Sequence, residues 1–356
     1  MSEANPPDII VGVDTHKQTH AAVAITGLGA RVAELTVPAC TRGYRDLEAW
    51  ASSLGATRAF AVEGTGSYGA GLSRFLRERG HAVHEVCRPD RRARHQHGKT
   101  DHLDAEAAAR ALLGGRGSAV PKSGTSEVEM IRHLKVARGT AVKARTQAML
   151  TLKSLIVEAP AALREQLEAL GGKRALLRHL AALRPGALTT TAASAKASLR
   201  AIARRWLALD DEIKSHDAHL ERLVRRRSPA LVEAHGIGVG TAAEMLVLVG
   251  DNPERVHSEA ALAKLCGVCP VPASSGKTNR HRLNRSGDRQ ANAALHRVVV
   301  VRMRAHEPTI GYVRRRTAEG KSKAEIIRCL KRFVAREIFG HLCATPRAAS
   351  GCPEAS

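Results

Sequence analysis

The chain has 356 residues, of which 44% are hydrophobic, so it is long enough to form two or three domains with sizeable cores. Its 56 Lys and Arg residues against 34 Asp and Glu residues give a net charge of +22, which favours a polyanionic partner such as nucleic acid. No apolar run approaches the ~20 residues of a membrane span, which argues against a membrane protein. Seven scattered cysteines are typical of a reducing compartment. We therefore expect a cytoplasmic, bacterial protein associated with the nucleoid.

The first 124 residues predict an α/β domain with a mixed sheet. Five short apolar runs predict strands, over residues 9–13, 21–26, 32–37, 58–62 and 81–86. Polar or glycine-containing turns separate the first three, which predicts an antiparallel meander. Two helices are predicted, over 43–54 and 67–79. A meander followed by strand–helix–strand is an α/β pattern.

The middle of the chain, residues 125–230, is dominated by Ala, Leu, Arg and Lys, which predicts long helices over 127–159, 196–209 and 210–227. Two interpretations remain open for them. Some of these helices can pair as a coiled coil, or all of them can form a plain helical bundle that serves as a spacer.

The third region, residues 231–345, begins with a glycine-rich turn at residues 235–242 (HGIGVGTA). The glycines Gly236, Gly238 and Gly240 allow backbone amides to approach a phosphate closely, as in a helix-hairpin-helix element. The alternative is a tight turn between two helices. From Lys277 to Glu337 there are 17 Lys and Arg residues and 5 Asp and Glu residues, which favours phosphate contact. Residues 346–356 are expected to be a flexible tail.

Four acidic residues suggest a metal site: Asp14, Glu63, Asp101 and Asp104. Asp101 and Asp104 begin a predicted helix and share one of its faces, whereas Asp14 and Glu63 each close an apolar strand. Four carboxylates in one place can hold two Mg²⁺ ions about 4 Å apart, the arrangement that serves phosphoryl transfer. The alternative for each acid is a turn residue or a helix cap. The nearby His16 is expected to be a surface residue or to contact phosphate.

Several segments resemble the DEDD transposases, the RuvC-like recombinases of IS110-type insertion sequences. The three acid motifs are residues 11–17 (VGVDTHK), 62–68 (VEGTGSY) and 99–105 (KTDHLDA). The resemblance continues at 235–242 and from 265–276 (LCGVCPVPASSG) to 285–289 (RSGDR). It covers both ends of the chain but not the middle region.

This resemblance implies a RuvC/RNase H-like first domain, Mg²⁺ at the four acids, and a serine nucleophile in a mainly α-helical C-terminal transposase domain. The serine before the glycine of the Ser-Gly pair is Ser275, although Ser274 is adjacent. The resemblance also implies a structured guide RNA, DNA partners at the element ends and the target, and a homodimer or homotetramer. We expect basic side chains near the serine to contact phosphates, namely Lys277, Arg280, Arg282, Arg285 and Arg289.

Three other functions compete with a transposase that uses serine chemistry. A RuvC-like nuclease or junction resolvase would use water as the nucleophile, without a serine. A phosphotransferase of the actin and sugar-kinase type also has an apolar-Gly-x-Asp first strand, but the net charge of +22 disfavours it. A non-enzymatic DNA-binding protein would need only the glycine-rich turn and the basic tract. The transposase is the function that accounts for all of the motifs together.

Overall fold

The computed structural model describes residues 8–86, 100–115, 118–274 and 281–343. The chain forms two compact units, of which the first contains residues 1–126 and 249–257 and the second contains residues 127–248 and 258–356. The first is an α/β unit and the second is mostly helical. None of the helices in the described ranges combines the length and the apolar character needed to cross a bilayer.

The first unit is built on a six-stranded mixed sheet with the strand order β3-β2-β1-β4-β5-β6. The elements in chain order are β1 Asp8–Thr15, β2 Thr19–Thr26, β3 Arg31–Pro38, α1 Thr41–Leu54, β4 Ala56–Glu63, α2 Ala70–Glu78, β5 Val83–Val86, α3 Asp101–Leu113 and β6 Ser118–Ala119. Strands β1, β2 and β3 pair antiparallel, so the predicted meander is confirmed. Strand β4 pairs parallel with both β1 and β5.

Helix α2 begins at Ala70, later than the predicted residue 67. The residues between β4 and α2 form turns, in which the amides of Ser67 and Gly69 both donate to the carbonyl of Gly64. Gly64 has a φ of +68°, which suits glycine, and the turns that close on its carbonyl extend to Gly69, so the helix begins after them.

The two faces of the sheet are covered by different helices. Because side chains alternate along a strand, one face of β1 carries Val11 and Val13, which pack in a core with residues of α1 and α2. The opposite face carries Ile10, which packs with Ala105 and Ala109 of α3. Helix α3 therefore lies on the face of β1 to which Asp14 also belongs.

A segment distant in sequence completes the first unit. The carboxylate of Asp251 accepts hydrogen bonds from the backbone amides of Ser123 (3.1 Å), Gly124 (3.3 Å), Thr125 (3.2 Å) and Ser126 (3.3 Å). Residues 249–257, which include the short 3₁₀ helix Pro253–Arg255, are thereby attached to the segment that follows β6.

The second unit contains the remaining helices of the described ranges and one short hairpin. Its elements are α4 Glu127–Val157, α5 Ala161–Glu168, α6 Lys173–Ala182, α7 Thr191–Arg227, α8 Pro229–Glu233, α9 Val239–Val249 (its last residue falls in the first unit), α10 Glu259–Leu265, β7 Val271–Pro272, β8 His281–Arg282, α11 Arg289–Ala305, α12 Glu307–Ala318 and α13 Lys323–Leu342. Strands β7 and β8 pair antiparallel.

The two longest helices, α4 and α7, pack against each other in opposite directions. Salt bridges join Arg138 to Asp217 and Arg145 to Asp210. Buried residues of α7 recur every seven positions, as in coiled coils, at Leu199, Trp206, Ile213 and Leu220.

The two helices predicted over 196–209 and 210–227 are one continuous helix. The acidic residues at the expected break do not end it, because Asp210 forms ion pairs with both Arg145 and Lys214.

Candidate functional site

The first two predicted acids lie at the ends of neighbouring parallel strands. Val13 of β1 is in register with Val62 of β4, so Asp14 and Glu63 occupy adjacent positions where the two strands end. By alternation both belong to the face covered by α3. The hydroxyl of Thr15 donates a 2.8 Å hydrogen bond to the backbone carbonyl of Glu63 and ties the two strand ends together.

The other two acids are in the first turn of α3. The N-cap of this helix is Thr100, whose hydroxyl oxygen accepts a hydrogen bond from the amide of Leu103. Asp101 is therefore the first helical residue and not the cap. Its side chain is exposed, whereas Asp104 is buried on the inner face of the helix.

Three side chains converge at this end of the sheet. The Nε2 atom of His16 lies 3.1 Å from the Oδ2 atom of Asp14 and 3.3 Å from the Oδ1 atom of Asp101. One ligand atom from each of the three residues lies within 4.8 Å of the others. Asp14 is buried, His16 is partly buried and Asp101 is exposed, so the cluster opens to solvent on one side. The three residues are called the Asp–His–Asp cluster below.

The electrostatics of Asp14 fit a site for a cation. Burial raises the pKa of Asp14, the nearby His16 lowers it, and the negative charges of Asp104 and Asp101 raise it further. Three carboxylates thus crowd one another, and a bound divalent cation would relieve their repulsion. Carboxylate oxygens and an imidazole nitrogen are common ligands of divalent metals. The donor set therefore fits a divalent metal.

The structure brings some of the predicted acids closer together than others. Asp14 and Asp101 belong to the Asp–His–Asp cluster, and the charge of Asp104 acts on Asp14. Glu63 is adjacent by strand register but is not a member of the cluster. His16 was expected at the surface or on phosphate, and its contact with both aspartates was missed. The available signal was its position two residues after Asp14, where alternation favours the same side of the chain.

The glycine-rich stretch of the second unit begins in the turn between α8 and α9, and its last glycine, Gly240, is the second residue of α9. Gly236 has a φ of +77°, which favours glycine, and the preceding carbonyl of His235 accepts a 2.7 Å hydrogen bond from Nε of the buried Arg302. A Cβ atom on Gly238 or on Gly240 would meet open space. Both glycines are exposed.

The predicted nucleophile and part of its basic surroundings lie outside the described residues, namely Ser275, Lys277 and Arg280. Ser274 is exposed, two residues after the end of β7. Arg282, Arg285 and Arg289 are exposed in β8, in the loop that follows it and at the start of α11. None of these three arginines forms an ion pair with any residue that the structure describes. Their charges are thus available to an external anion.

Comparison with known proteins finds two family models that match separate parts of the chain. Residues 11–159 match the family model of IS110-type DEDD transposases, described as "Transposase". Residues 228–314 match the model described as "Transposase IS116/IS110/IS902 family". The first match contains all four predicted acids, and the second contains the glycine-rich turn and the predicted serine.

Two curated relatives are also similar to parts of the chain. The insertion element IS900 uncharacterized 42 kDa protein of Mycobacterium paratuberculosis is 31% identical over 134 residues, which are 37% of this chain and 34% of the relative. The insertion element IS110 uncharacterized 43.6 kDa protein of Streptomyces coelicolor is 32% identical over 158 residues, 44% of this chain and 38% of the relative. The chain thus spans little more than a third of each relative's length. Both domain models and both relatives agree that the chain resembles the DEDD transposases of the IS110 type, as its motifs predicted.

Proposed function

We propose that the protein is a DNA transposase or recombinase of an insertion sequence, which cuts and rejoins DNA. The single observation that carries this proposal is the convergence of Asp14 and Asp101 on His16, with Asp104 acting on the same carboxylate. Such a site on a protein with a net charge of +22 suits phosphoryl transfer on nucleic acid.

The topology of the first unit supports a RuvC/RNase H-like assignment. An antiparallel meander is followed by two parallel strands, and acids at the ends of β1 and β4 meet a helix that supplies two more. We assign the metal ligands to Asp14, Glu63, Asp101 and Asp104, with Mg²⁺ as the ion. A divalent metal bound there would stabilise the charge that develops on the phosphate oxygens. Thr15 and the cap Thr100 hold the strand end and the helix start in place.

The proposed nucleophile is Ser275, with Ser274 as the neighbouring candidate. The serine Oγ forms a bond to a DNA phosphorus, one P–O bond to the adjacent sugar breaks, and the leaving sugar oxygen takes the proton that the serine loses. The strand remains attached as a phosphoserine diester. A hydroxyl of the incoming strand then attacks the same phosphorus and releases the serine.

The second unit is proposed to bind nucleic acid. The turn at Gly236, Gly238 and Gly240 is consistent with a helix-hairpin-helix element that contacts phosphates through its backbone. The exposed Arg282, Arg285 and Arg289 add positive charge. We further propose, from the resemblance alone, that a structured RNA of the element guides the protein and that it acts as a homodimer or homotetramer. If base pairing with the RNA selected the target, the protein would need to recognise only the backbone and the shape of the nucleic acid.

A set of acid variants tests this function. We expect Asp14→Asn, Glu63→Gln, Asp101→Asn and Asp104→Asn each to abolish recombination of a DNA substrate that carries the element's junction, with Mg²⁺ and RNA from the element's flank. Binding to the same DNA should be retained. Asp46→Asn is the matched control, because Asp46 is an exposed residue of α1 without an ion pair in the part of the chain that the structure describes. Full recombination by any of the four variants would remove that residue from the site.

A further inference from the structure

A basic cavity of about 760 Å³ lies within the second unit. One wall is formed by the segment around Gly267–Pro270 and by residues 281–284 at and after β8. The other is formed by α13 and by residues contributed from α11 and α12. The cavity is far larger than one phosphate group, so it can admit part of a chain.

The charge of this cavity is strongly one-sided. Its cationic lining side chains are Arg282, Arg316, Lys321, Arg328, Lys331 and Arg332. Glu325 is the carboxylate among the described lining residues, and it accepts hydrogen bonds from Ser322 in the capping box of α13. Arg316 pairs with Glu319. The other five cations have no salt-bridge partner among the residues that the structure describes.

Lys331 is held in a fixed position inside the cavity. Its ammonium group donates a 2.7 Å hydrogen bond to the side-chain oxygen of Asn292. The Asn292 amide nitrogen donates in turn to the carbonyls of Cys266 (2.9 Å) and Gly267 (3.2 Å), which orients the oxygen toward the lysine. Two N–H groups of the lysine remain for another acceptor.

A partly buried ammonium group with no counter-charge among the described residues is unfavourable in the free protein. Burial lowers the pKa of Lys331, in agreement with this loss of solvation. An anion in the cavity would restore the missing interaction. A negative charge bound next to Lys331 would therefore be stabilised in this cavity.

We infer that this cavity binds a phosphodiester group of a nucleic-acid strand, with Lys331 as the central contact and Arg282, Arg328 and Arg332 around it. A phosphodiester carries its negative charge throughout the physiological range and repeats along a chain, which suits a large cavity with several cations. Strands β7 and β8 flank the predicted Ser275 in sequence. The residues of β8 form part of one cavity wall, and β7 directly follows the segment Gly267–Pro270 of the same wall. The inference rests on the proposed function. It adds to that function the residues of the second unit that position the sugar-phosphate backbone of the nucleic acid.

The test measures binding of the full chain to labelled single-stranded DNA and to RNA of the same sequence by fluorescence anisotropy. EDTA is present, so that no strand is cut, and the salt concentration is varied. The variants are Lys331→Met and Lys331→Arg. Lys153→Met is the matched control, because Lys153 is an exposed helical lysine of the same unit, outside the cavity.

We expect Lys331→Met to weaken binding about tenfold and to reduce the slope of log K against log salt by about 0.7, as for one lost contact to a single strand. Lys331→Arg should restore most of the affinity, and Lys153→Met should stay within about twofold of the wild type. A loss confined to DNA or to RNA would identify which strand occupies the cavity.

The melting temperature without nucleic acid separates a binding role from a structural one. A binding lysine without a counter-charge predicts that Lys331→Met melts at the wild-type temperature or above, whereas a structural tie to Asn292 predicts a lower one. Arg282→Gln is a second variant. It changes an exposed side chain of the cavity wall, so its effect on binding does not involve a change in buried packing.

Equal binding by Lys331→Met and Lys153→Met on both probes would overturn the inference, as would a loss of affinity with an unchanged salt slope. A wild-type protein that binds neither strand would contradict the proposed function itself. The two failures are therefore distinguishable.

Discussion

Gly12 of β1 lies directly against Ala105 of α3, so close that a Cβ atom on Gly12 would come within 1.9 Å of the Ala105 carbonyl oxygen. The same atom would lie 2.7 Å from the amide nitrogen of Ala109. This contact sets how near the first turn of α3 comes to the end of β1. The approach of Asp101 and Asp104 to Asp14 thus depends on a glycine, which has no side chain, two residues before Asp14.

We expect Gly12→Ala to damage both stability and the acid site. The added methyl group has to displace the backbone of α3, which costs about 1–3 kcal/mol and moves the helical aspartates away from Asp14. Thermal unfolding and recombination assays measure the two effects. Gly27→Ala is the control, because a Cβ atom there meets open space. Equal behaviour of the two variants would show that the close contact does not matter.

A second prediction concerns metal binding by Asp14. Without a divalent metal, Asp14→Asn should unfold at the wild-type temperature or above, because it removes one of three crowded carboxylates. At a metal concentration of about 100 times the Kd, the wild type should gain ~2.7 kcal/mol and the variant much less. Thermal unfolding with and without Mg²⁺ or Mn²⁺ checks this, with Asp46→Asn as the control. The same metal-induced gain in Asp14→Asn would exclude Asp14 as a ligand.

Much of the first unit could be predicted from its sequence, because apolar runs and turn residues are local signals. The three meander strands were placed within two residues of their ends, and Asp14 and Glu63 were placed at strand ends. The contact of His16 with both aspartates could not be predicted, since it depends on where α3 lies on the sheet. Gly12 gave no signal either, because the close approach it permits is tertiary.

A third prediction concerns the pH dependence that Asp251 gives to stability. Burial would raise the pKa of Asp251, but hydrogen bonds from Ser123, Gly124 and Thr125 lower it well below the ordinary 3.8. A carboxyl group whose pKa is lowered by folding stabilises the folded state at every pH above its ordinary pKa. This contribution is lost as the pH falls from the ordinary pKa toward the lower pKa of the folded state.

We therefore expect Asp251→Asn to lose about 1–3 kcal/mol near neutral pH and progressively less as the pH falls below the ordinary 3.8. Urea unfolding across that range measures the difference, with Asp46→Asn as the control. A difference that stays constant as the pH falls would show that the charge of Asp251 is not what holds the segment.

The role of Asp251 and the continuity of α7 depend on contacts between residues that are distant in sequence. Asp251 accepts hydrogen bonds from backbone amides that lie 125–128 residues earlier in the chain. No sequence periodicity links such distant groups. In α7, the predicted boundary between two helices fell between residues 209 and 210, inside one continuous helix. The partner Arg145, from another helix, compensates Asp210 and cannot be identified from local sequence.

A fourth prediction concerns the ion pair beside the glycine-rich turn. The guanidinium of Arg302 donates two hydrogen bonds to the Glu337 carboxylate (2.6 and 2.8 Å), and its Nε donates to the carbonyl of His235. Arg302→Met should destabilise by about 3 kcal/mol, because it leaves Glu337 without its partner. The double variant with Glu337→Gln should lose less than the sum of the single losses, by about 1–3 kcal/mol. Denaturant unfolding measures all three, and additive losses would show that the pair is not coupled.

The most direct test of the account is covalent capture of labelled DNA. The protein is mixed with Mg²⁺, DNA spanning the element's junction and RNA transcribed from its flank, and the products are separated on denaturing gels. We expect label to migrate with the wild-type protein and with Ser274→Ala, but not with Ser275→Ala. Cleaved DNA with no attached protein in the wild type would contradict the serine mechanism and would favour a RuvC-like nuclease in which water attacks.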